Sequence, residues 1–350
     1  MILFFSKWPL KENERDGMIQ RIISIDKILP NENKIYLDIR INKHFRAVKH
    51  SLATQTTGYK VNFILHFPLI VLLVIKAKGL YIHSILRLHQ IILFAIVKKT
   101  IIDLHGAVPE ETILQGRKVW ARVYDFLEGI IIRKANLVIG VSNSMLAHIE
   151  EKHHSTIKHK CVLPIFDFTI TEPIESKWQN ERKAIIYSGG SDKWQNVDLM
   201  LNVISKYQEN YNFTILTGDL ETFKLKLIEK GLDKKVFLTS VSKNEVYAYY
   251  KTSDFGFLLR DESVVNSVSC PTKLVEYMSY GVIPIVLQPQ IGDFQKKGFS
   301  YILLDRLHPS SMPESNTLRK MQMNNYSIVE ELKLEAAESI KKLLKEVEQW

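Results

Sequence analysis

Along most of the chain, short unbroken apolar runs alternate with longer stretches in which apolar residues return every third or fourth position. The runs at 2–5, 34–40, 81–85, 101–104 and 137–141 are of strand length. Between them lie segments of helical period: one beginning near Met18, with Ile19, Ile22 and Ile23 on one face, then 67–75, 91–97 and 119–134. A second series follows, with strand-like runs at 183–187, 213–216, 235–238, 255–259 and 282–287. Its helices include 244–251 and one that starts at Pro271 and Thr272 and stops at Gly281. This alternation predicts α/β architecture with parallel sheets covered on both faces. The pattern lapses between 159 and 182, where Pro164 and Pro173 intervene, so a linker and two domains are expected, 1–165 and 166–327. A last helical stretch, 328–350, carries Leu332, Ala336, Ile340, Leu343 and Val347 on one side. That stripe is shorter than the roughly three or four heptads of a coiled coil.

Composition changes this picture little. Hydrophobic residues make up 46% and charged residues 24% of the 350, as in a globular protein with filled cores. Cys161 and Cys270 are far apart and form no CxxC, which argues against a zinc cluster or a disulfide framework and fits a reducing cytoplasm. The opening MILFFSK lacks the basic start and cleavage site of a signal peptide, and the apolar segment 61–75 is shorter than the roughly 20 residues of a spanning helix. Charge is more informative. The net charge of +9 resides wholly in residues 1–180, with 25 Lys and Arg against 16 Asp and Glu, while 181–350 hold 22 of each. With no nucleic-acid motif present, an anionic membrane surface is the expected partner of that half.

Candidate chemistry gathers where strands end. In SDFGFLLRDESVVNSVSCPTKLVEYMSYGVIPIVL, a strand and a polar loop with Arg260 and Asn266 lead to a helix start at Thr272 and Lys273. Free N–H groups and the helix dipole make such a start a diphosphate cradle, and Glu276, one turn in, can accept from sugar hydroxyls. Gly190 and Lys193 occupy a strand-to-helix turn that can wrap phosphate, although GG with one Lys is no Walker loop. In the first half, DLHGAVPEE puts Asp103 and His105 at a strand's end, with Glu110 and Glu111 opening the next helix. Arg15, Gly17 and Arg21 mark the loop and helix after the first strand. For each residue a bland reading stands beside the functional one: solvated helix ends, a turn glycine, a hydrogen-bonded structural histidine.

The run SDFGFLLR, then Asn266 and PTKLVEYMSYGVIPIV, resembles the nucleotide-sugar site of retaining glycosyltransferases of the family 4 type, including bacterial capsule and O-antigen members. The resemblance implies the GT-B fold, two Rossmann-like domains whose parallel sheets face each other across a cleft, with the last helix packing back on the first domain. It implies a nucleoside diphosphate sugar as donor, UDP or GDP left open, and a saccharide acceptor carried on a lipid. No cofactor, metal or nucleic acid is expected. In the family, the glutamate matching Glu276 binds the donor ribose and the helix start binds the diphosphate, with Lys193 and Gly190 beside it. DLHGAVPEE places His105, with Asp103, at the reacting groups. The loop of Arg15 and Gly17 with Arg21, and Glu111, falls to the phosphates and acceptor. Val268 departs from the pattern, since many members have an acidic residue eight positions before the glutamate. The expected activity is retaining sugar transfer in surface polysaccharide synthesis at the inner face of the membrane. A non-catalytic scaffold or a sugar-nucleotide epimerase of the same architecture are the alternatives.

Overall fold

The computed structural model describes residues 1–8, 17–164 and 182–350, except for the side chains of Lys193 and Lys243. The chain divides into two units: Met1–Ile165 with Leu334–Trp350, and Phe166–Lys333.

The first unit is built on β1 (Ile2–Phe5), β2 (Lys34–Arg40), β3 (Val48–Ala53), β4 (Thr56–Asn62), β5 (Gly79–His83), β6 (Thr100–Leu104), β7 (Leu137–Gly140) and β8 (Lys160–Val162). They form one sheet in the order β3-β4-β2-β1-β5-β6-β7-β8, parallel except for the β3–β4 hairpin. β1, β5, β6 and β7 are buried at every position, which is why they are mainly apolar, and the polar residues they do contain, His83, Thr100 and Asp103, are buried with them. The connections are α1 (Gly17–Ile28), α2 (Phe67–Lys76), α3 (Leu88–Val97), α4 (Val108–Leu114), α5 (Lys118–Lys134) and α6 (Asn143–Lys152). From β1 the chain runs outward to β2, whereas from β5 it runs the other way to β6, β7 and β8. The strand order therefore switches between β1 and β5, and a crevice at their carboxyl ends is the expected ligand position.

The second unit carries β9 (Ala184–Ser188), β10 (Asn212–Leu216), β11 (Val236–Thr239), β12 (Phe255–Leu258), β13 (Ile283–Val286) and β14 (Ile302–Leu303), with α7 (Val197–Tyr207), α8 (Leu220–Glu229), α9 (Lys243–Thr252), α10 (Val264–Val268) and α11 (Thr272–Ser279). Its sheet is wholly parallel, β11-β10-β9-β12-β13-β14, and switches between β9 and β12. On β12, Gly256 leaves room for the Tyr277 ring of α11, which a Cβ would meet at 2.4 Å. α11 is thereby drawn onto the strand that precedes it.

Several elements depart from the sequence reading, among them β8, which lies within the stretch expected to be linker. The hairpin β3–β4 was not anticipated, because every β3 residue but one is exposed and no alternation marks it. The polar stretch after β12 contains α10, started by Ser263, whose Oγ accepts from the Asn266 amide. The last helix, α12, runs from Ser315 to Glu348, well before the expected start at 328. Its C-terminal end joins the first unit, where Trp350 packs on Gly79 so closely that a Cβ would lie 2.3 Å from the indole.

Candidate functional site

In the second unit the carboxyl ends of β9 and β12 lead into the start of α11. No side chain caps that start: Pro271 holds the N-cap position, leaving the first amide groups free to face a ligand. Lys273, in the first turn, folds back over the β9 exit. Its ammonium lies 4.0 Å from the centre of the Tyr187 ring and donates to Gln195 Oε1 at 3.2 Å. Gly189 makes this possible, since a Cβ there would stand 2.7 Å from Lys273 Nζ. Arg260, at the β12 exit, reaches Asn266 Oδ1 and Ser269 Oγ, both at 3.4 Å, and its Nε is buried without a hydrogen-bond partner.

Two cations are thus gathered at these strand ends, and among the described residues their hydrogen-bond partners are neutral. Burial, and after it the Arg260 guanidinium, pushes the Lys273 ammonium down to about 7, while Glu276 and Asp192 act the other way and less strongly. Burial likewise lowers the pKa of Arg260. A half-buried guanidinium and ammonium with no carboxylate in contact among the described residues carry an electrostatic deficit that an anion would relieve.

Glu276 follows one turn into α11. Tyr250 of α9 donates to Glu276 Oε2 at 3.0 Å and shares a 2.5 Å contact with Ser188 Oγ at the end of β9. Burial, then the Glu276 charge, raises the Tyr250 pKa far above the usual phenol value, so Tyr250 stays a donor. The carboxylate is therefore oriented from three elements. Asn266 is buried in α10, its amide donating to the Asp261 carbonyl at 2.7 Å. Val268 is buried too and takes an apolar place. The turn 193–195 follows Gly190, and Tyr187 donates to the Gly190 carbonyl at 2.6 Å. The Lys193 side chain lies outside the described residues.

In the first unit, β6 delivers Asp103 and then His105. Asp103 is fully buried, and so is Arg21. Arg21 Nε donates to the two carboxylate oxygens at 3.2 and 2.9 Å and its NH2 group donates to Oδ1 at 2.8 Å, while NH1 donates to the Leu163 and Pro164 carbonyls. Tyr81 donates a further bond to Asp103 at 3.1 Å, and His83 Nδ1 is 3.4 Å away. Burial would raise the Asp103 pKa, but the Arg21 guanidinium and the His83 ring hold it well below the usual carboxylate range. Two expectations are corrected here. Arg21 does not present itself to an acceptor, because its donors are used inside the fold. Asp103 is a buried anchor rather than a group that meets substrate.

His105 is partly exposed at the strand's end, its ring centre 6.5 Å from that of His83. Glu111, in the first turn of α4, packs over Gly106, where a Cβ would be 2.6 Å from Oε1. Burial and then the neighbouring Glu110 raise its pKa. Glu110 itself binds His148 and Lys152, each at 2.8 Å, and is occupied structurally. Asp125, Glu128 and His153 are spaced as metal ligands are, but Lys152 Nζ stands 2.5 Å from Glu128 and 3.2 Å from Asp125, supplying the positive charge itself. Gly17 opens α1, and Arg15 falls outside the described residues.

The structure thus brings Arg260, Asn266, Lys273 and Gly190 to the same strand ends, with Thr272 at the helix start and Glu276 behind. Tyr187, Ser188, Gly189 and Tyr250 escaped the sequence reading. Each acts through a partner far away in the chain, and the glycine that admits Lys273 is Gly189, the first of the GG pair, whereas the sequence reading singles out the second.

Comparison with known proteins bears on fold and family. Residues 169–292 match the family described as glycosyl transferases group 1. Among solved structures, HepE from Anabaena, in complex with UDP and glucose, superposes with a TM-score of 0.70 at 11% identity, covering 98% of this chain and 99% of that one. Sucrose-phosphate synthase from Thermosynechococcus elongatus gives 0.66 at 11% identity, over 99% and 98%. An alpha,alpha-trehalose-phosphate synthase (UDP-forming) from Burkholderia vietnamiensis gives 0.63 at 9%, over 98% and 97%. No curated protein matches in sequence. With two parallel-sheet α/β units that match such neighbours over nearly their whole length, the chain has the GT-B fold, and its residues 169–292 carry the group 1 glycosyl transferase pattern.

Proposed function

We propose that the chain transfers a sugar from a nucleoside diphosphate sugar to a lipid-linked saccharide, with retention and without a metal, in surface polysaccharide synthesis at an anionic membrane. The observation that carries this is the gathering of Lys273 and Arg260 near the open start of α11, two cations whose hydrogen-bond partners among the described residues are neutral. A diphosphate supplies the missing charge. As the glycosidic bond to the diphosphate breaks, negative charge grows on the leaving oxygen, and groups already fixed there stabilise that state more than the ground state.

Glu276, oriented by Tyr250, accepts from the donor ribose. Asn266, Thr272, Gly190 and Lys193 complete the donor contacts. His105 meets the reacting sugar, and Glu111, Gly17 and Arg15 fall to the acceptor and phosphate side. The family match over 169–292 supports the donor half, and the HepE complex shows a protein of this fold with UDP and glucose.

The test is an incubation of the full chain with a panel of UDP and GDP sugars, with and without lipid-linked oligosaccharide, following nucleotide release and the anomeric configuration of the product. Acceptor-dependent release, unaffected by EDTA, with the donor's configuration kept, is the expected outcome. Conversion without acceptor would mean an epimerase, and nucleotide binding without turnover a scaffold. His105→Ala is expected to lose turnover at least about a hundredfold while binding nucleotide as the parent does; near-normal turnover would return His105 to a structural role.

A further inference from the structure

Three helices of the first unit turn apolar stripes to solvent. β4 leads through α2 to β5, β5 through α3 to β6, and β6 through α4 and α5 to β7, all in the same direction across the sheet. Right-handed crossovers therefore place α2, α3 and α5 on one face. They touch in order: Phe67 lies 6.1 Å from Phe94, Lys98 Nζ donates to the Ile75 and Ala77 carbonyls at 3.1 and 3.0 Å, and His89 lies 5.2 Å from Trp120. Each helix buries one stripe, for example Ile70 and Leu73, Leu88 and Ile91, Ala121 and Tyr124. On α2 and α3 the opposite stripe is apolar too, and on α5 Val119, Trp120 and Phe126 are exposed among Lys118 and Arg122. Ile75, Leu93, Val97, Val119 and Phe126 are 65–76% exposed, far beyond the scattered apolar residue an ordinary surface carries.

Charge decides what covers this face. Residues 39–102 contain no Asp or Glu and ten Lys or Arg. Of the acids that follow up to the end of α5, Asp103 is buried on Arg21, Glu110 is paired with His148 and Lys152, Glu111 is packed on Gly106, and Asp125 and Glu128 are both paired with Lys152. Lys76, Lys99, Lys118 and Arg122 are exposed beside the stripes. A second copy of this face would set these bases against their own kind, which disfavours a symmetric dimer. An apolar surface rimmed by exposed bases, with its acids buried, packed or paired, fits a bilayer with anionic headgroups. We propose that the outer face of α2, α3 and α5 docks on an anionic phospholipid surface, its apolar side chains entering the headgroup boundary and its bases meeting phosphate. No helix among the described residues is long and apolar enough to cross a membrane, so the contact is along the surface. Ile113 and Leu114, exposed at the end of α4, extend the face toward the loop of His105. That such a face would bring a lipid-borne acceptor toward His105 rests on the proposed function; the docking itself does not.

The experiment is flotation of the full chain with phosphatidylcholine vesicles, with and without phosphatidylglycerol, beside L93S/V97S and K118S/R122S. The parent is expected to float with anionic vesicles and to bind neutral ones or high-salt samples about tenfold less. Both variants are expected to lose at least about tenfold in anionic binding while keeping the parent's unfolding midpoint and nucleotide titration. Equal partition of the parent onto neutral and anionic vesicles, or L93S/V97S floating like the parent, would overturn the proposal. So would a parent that sediments as a dimer and floats with neither vesicle, which would make the face an interface between copies. A parent that floats yet binds no nucleotide would sink the transferase reading and leave the docking face standing.

Discussion

At the scale of single residues, Lys273 joins stability to function. In the unfolded chain its ammonium has the ordinary lysine pKa, whereas in the fold burial and Arg260 bring it down to about 7. Between those values the unfolded state binds the extra proton, so this residue makes the unliganded protein more stable as pH rises from about 7 toward 10. A bound diphosphate reverses the preference by favouring the charged form. Nucleotide-sugar binding at pH 8 is therefore expected to take up a proton, and affinity to fall as pH rises from 7 to 8.5. Calorimetry in buffers of different ionisation enthalpy reads this directly. Lys273→Met should abolish the uptake and raise the melting temperature of the unliganded protein by a few degrees.

Asp103 makes the opposite case. Asp103→Asn leaves the buried Arg21 guanidinium without its counter-ion, at a cost of about 3–5 kcal/mol in urea unfolding. Its nucleotide titration should match the parent's under conditions where it folds. The pairing spans 82 positions in sequence, and no local pattern announces it. The sequence reading found Asp103 and Arg21 separately and gave both to substrate, because it could not see that they are partners.

At the scale of elements, β12 and α11 were legible because their signals are local: an apolar run, a proline at the helix start, a glycine after its end. Their mutual fit was not. Gly256 gives up a side chain so that Tyr277 can lie on β12, and this packing sets the depth at which Lys273 and Glu276 emerge. Gly256→Ala would drive a methyl into a buried ring, costing about 1–3 kcal/mol and shifting α11. Donor affinity and the unfolding midpoint should fall together; a variant with only the midpoint lowered would show that α11 need not be held by this contact. The elements missed were those whose burial is slight or mixed with polar groups. β3 exposes nearly every residue, and the first half of α12 buries Gln322 and Asn325 beside Leu318, so no apolar stripe marks it.

At the scale of the whole molecule, each of the two units gathers polar groups beyond the carboxyl ends of its strands: the second brings two cations to the switch between β9 and β12, and the first holds His105 and Glu111 beyond β6, one strand away from its own switch. The basic excess of the first half lies in the same unit as the exposed apolar side chains of α2, α3 and α5, and the docking proposal rests on that coincidence. The central claim is that the second unit holds a diphosphate between α11, Lys273 and Arg260. Titrating UDP and GDP into the parent and into Lys273→Met by calorimetry at pH 7 tests it most directly. One nucleotide should saturate the parent at one per chain, with affinity at least about tenfold lower in the variant. A parent that binds neither nucleotide, or a variant that binds as tightly as the parent, would contradict it.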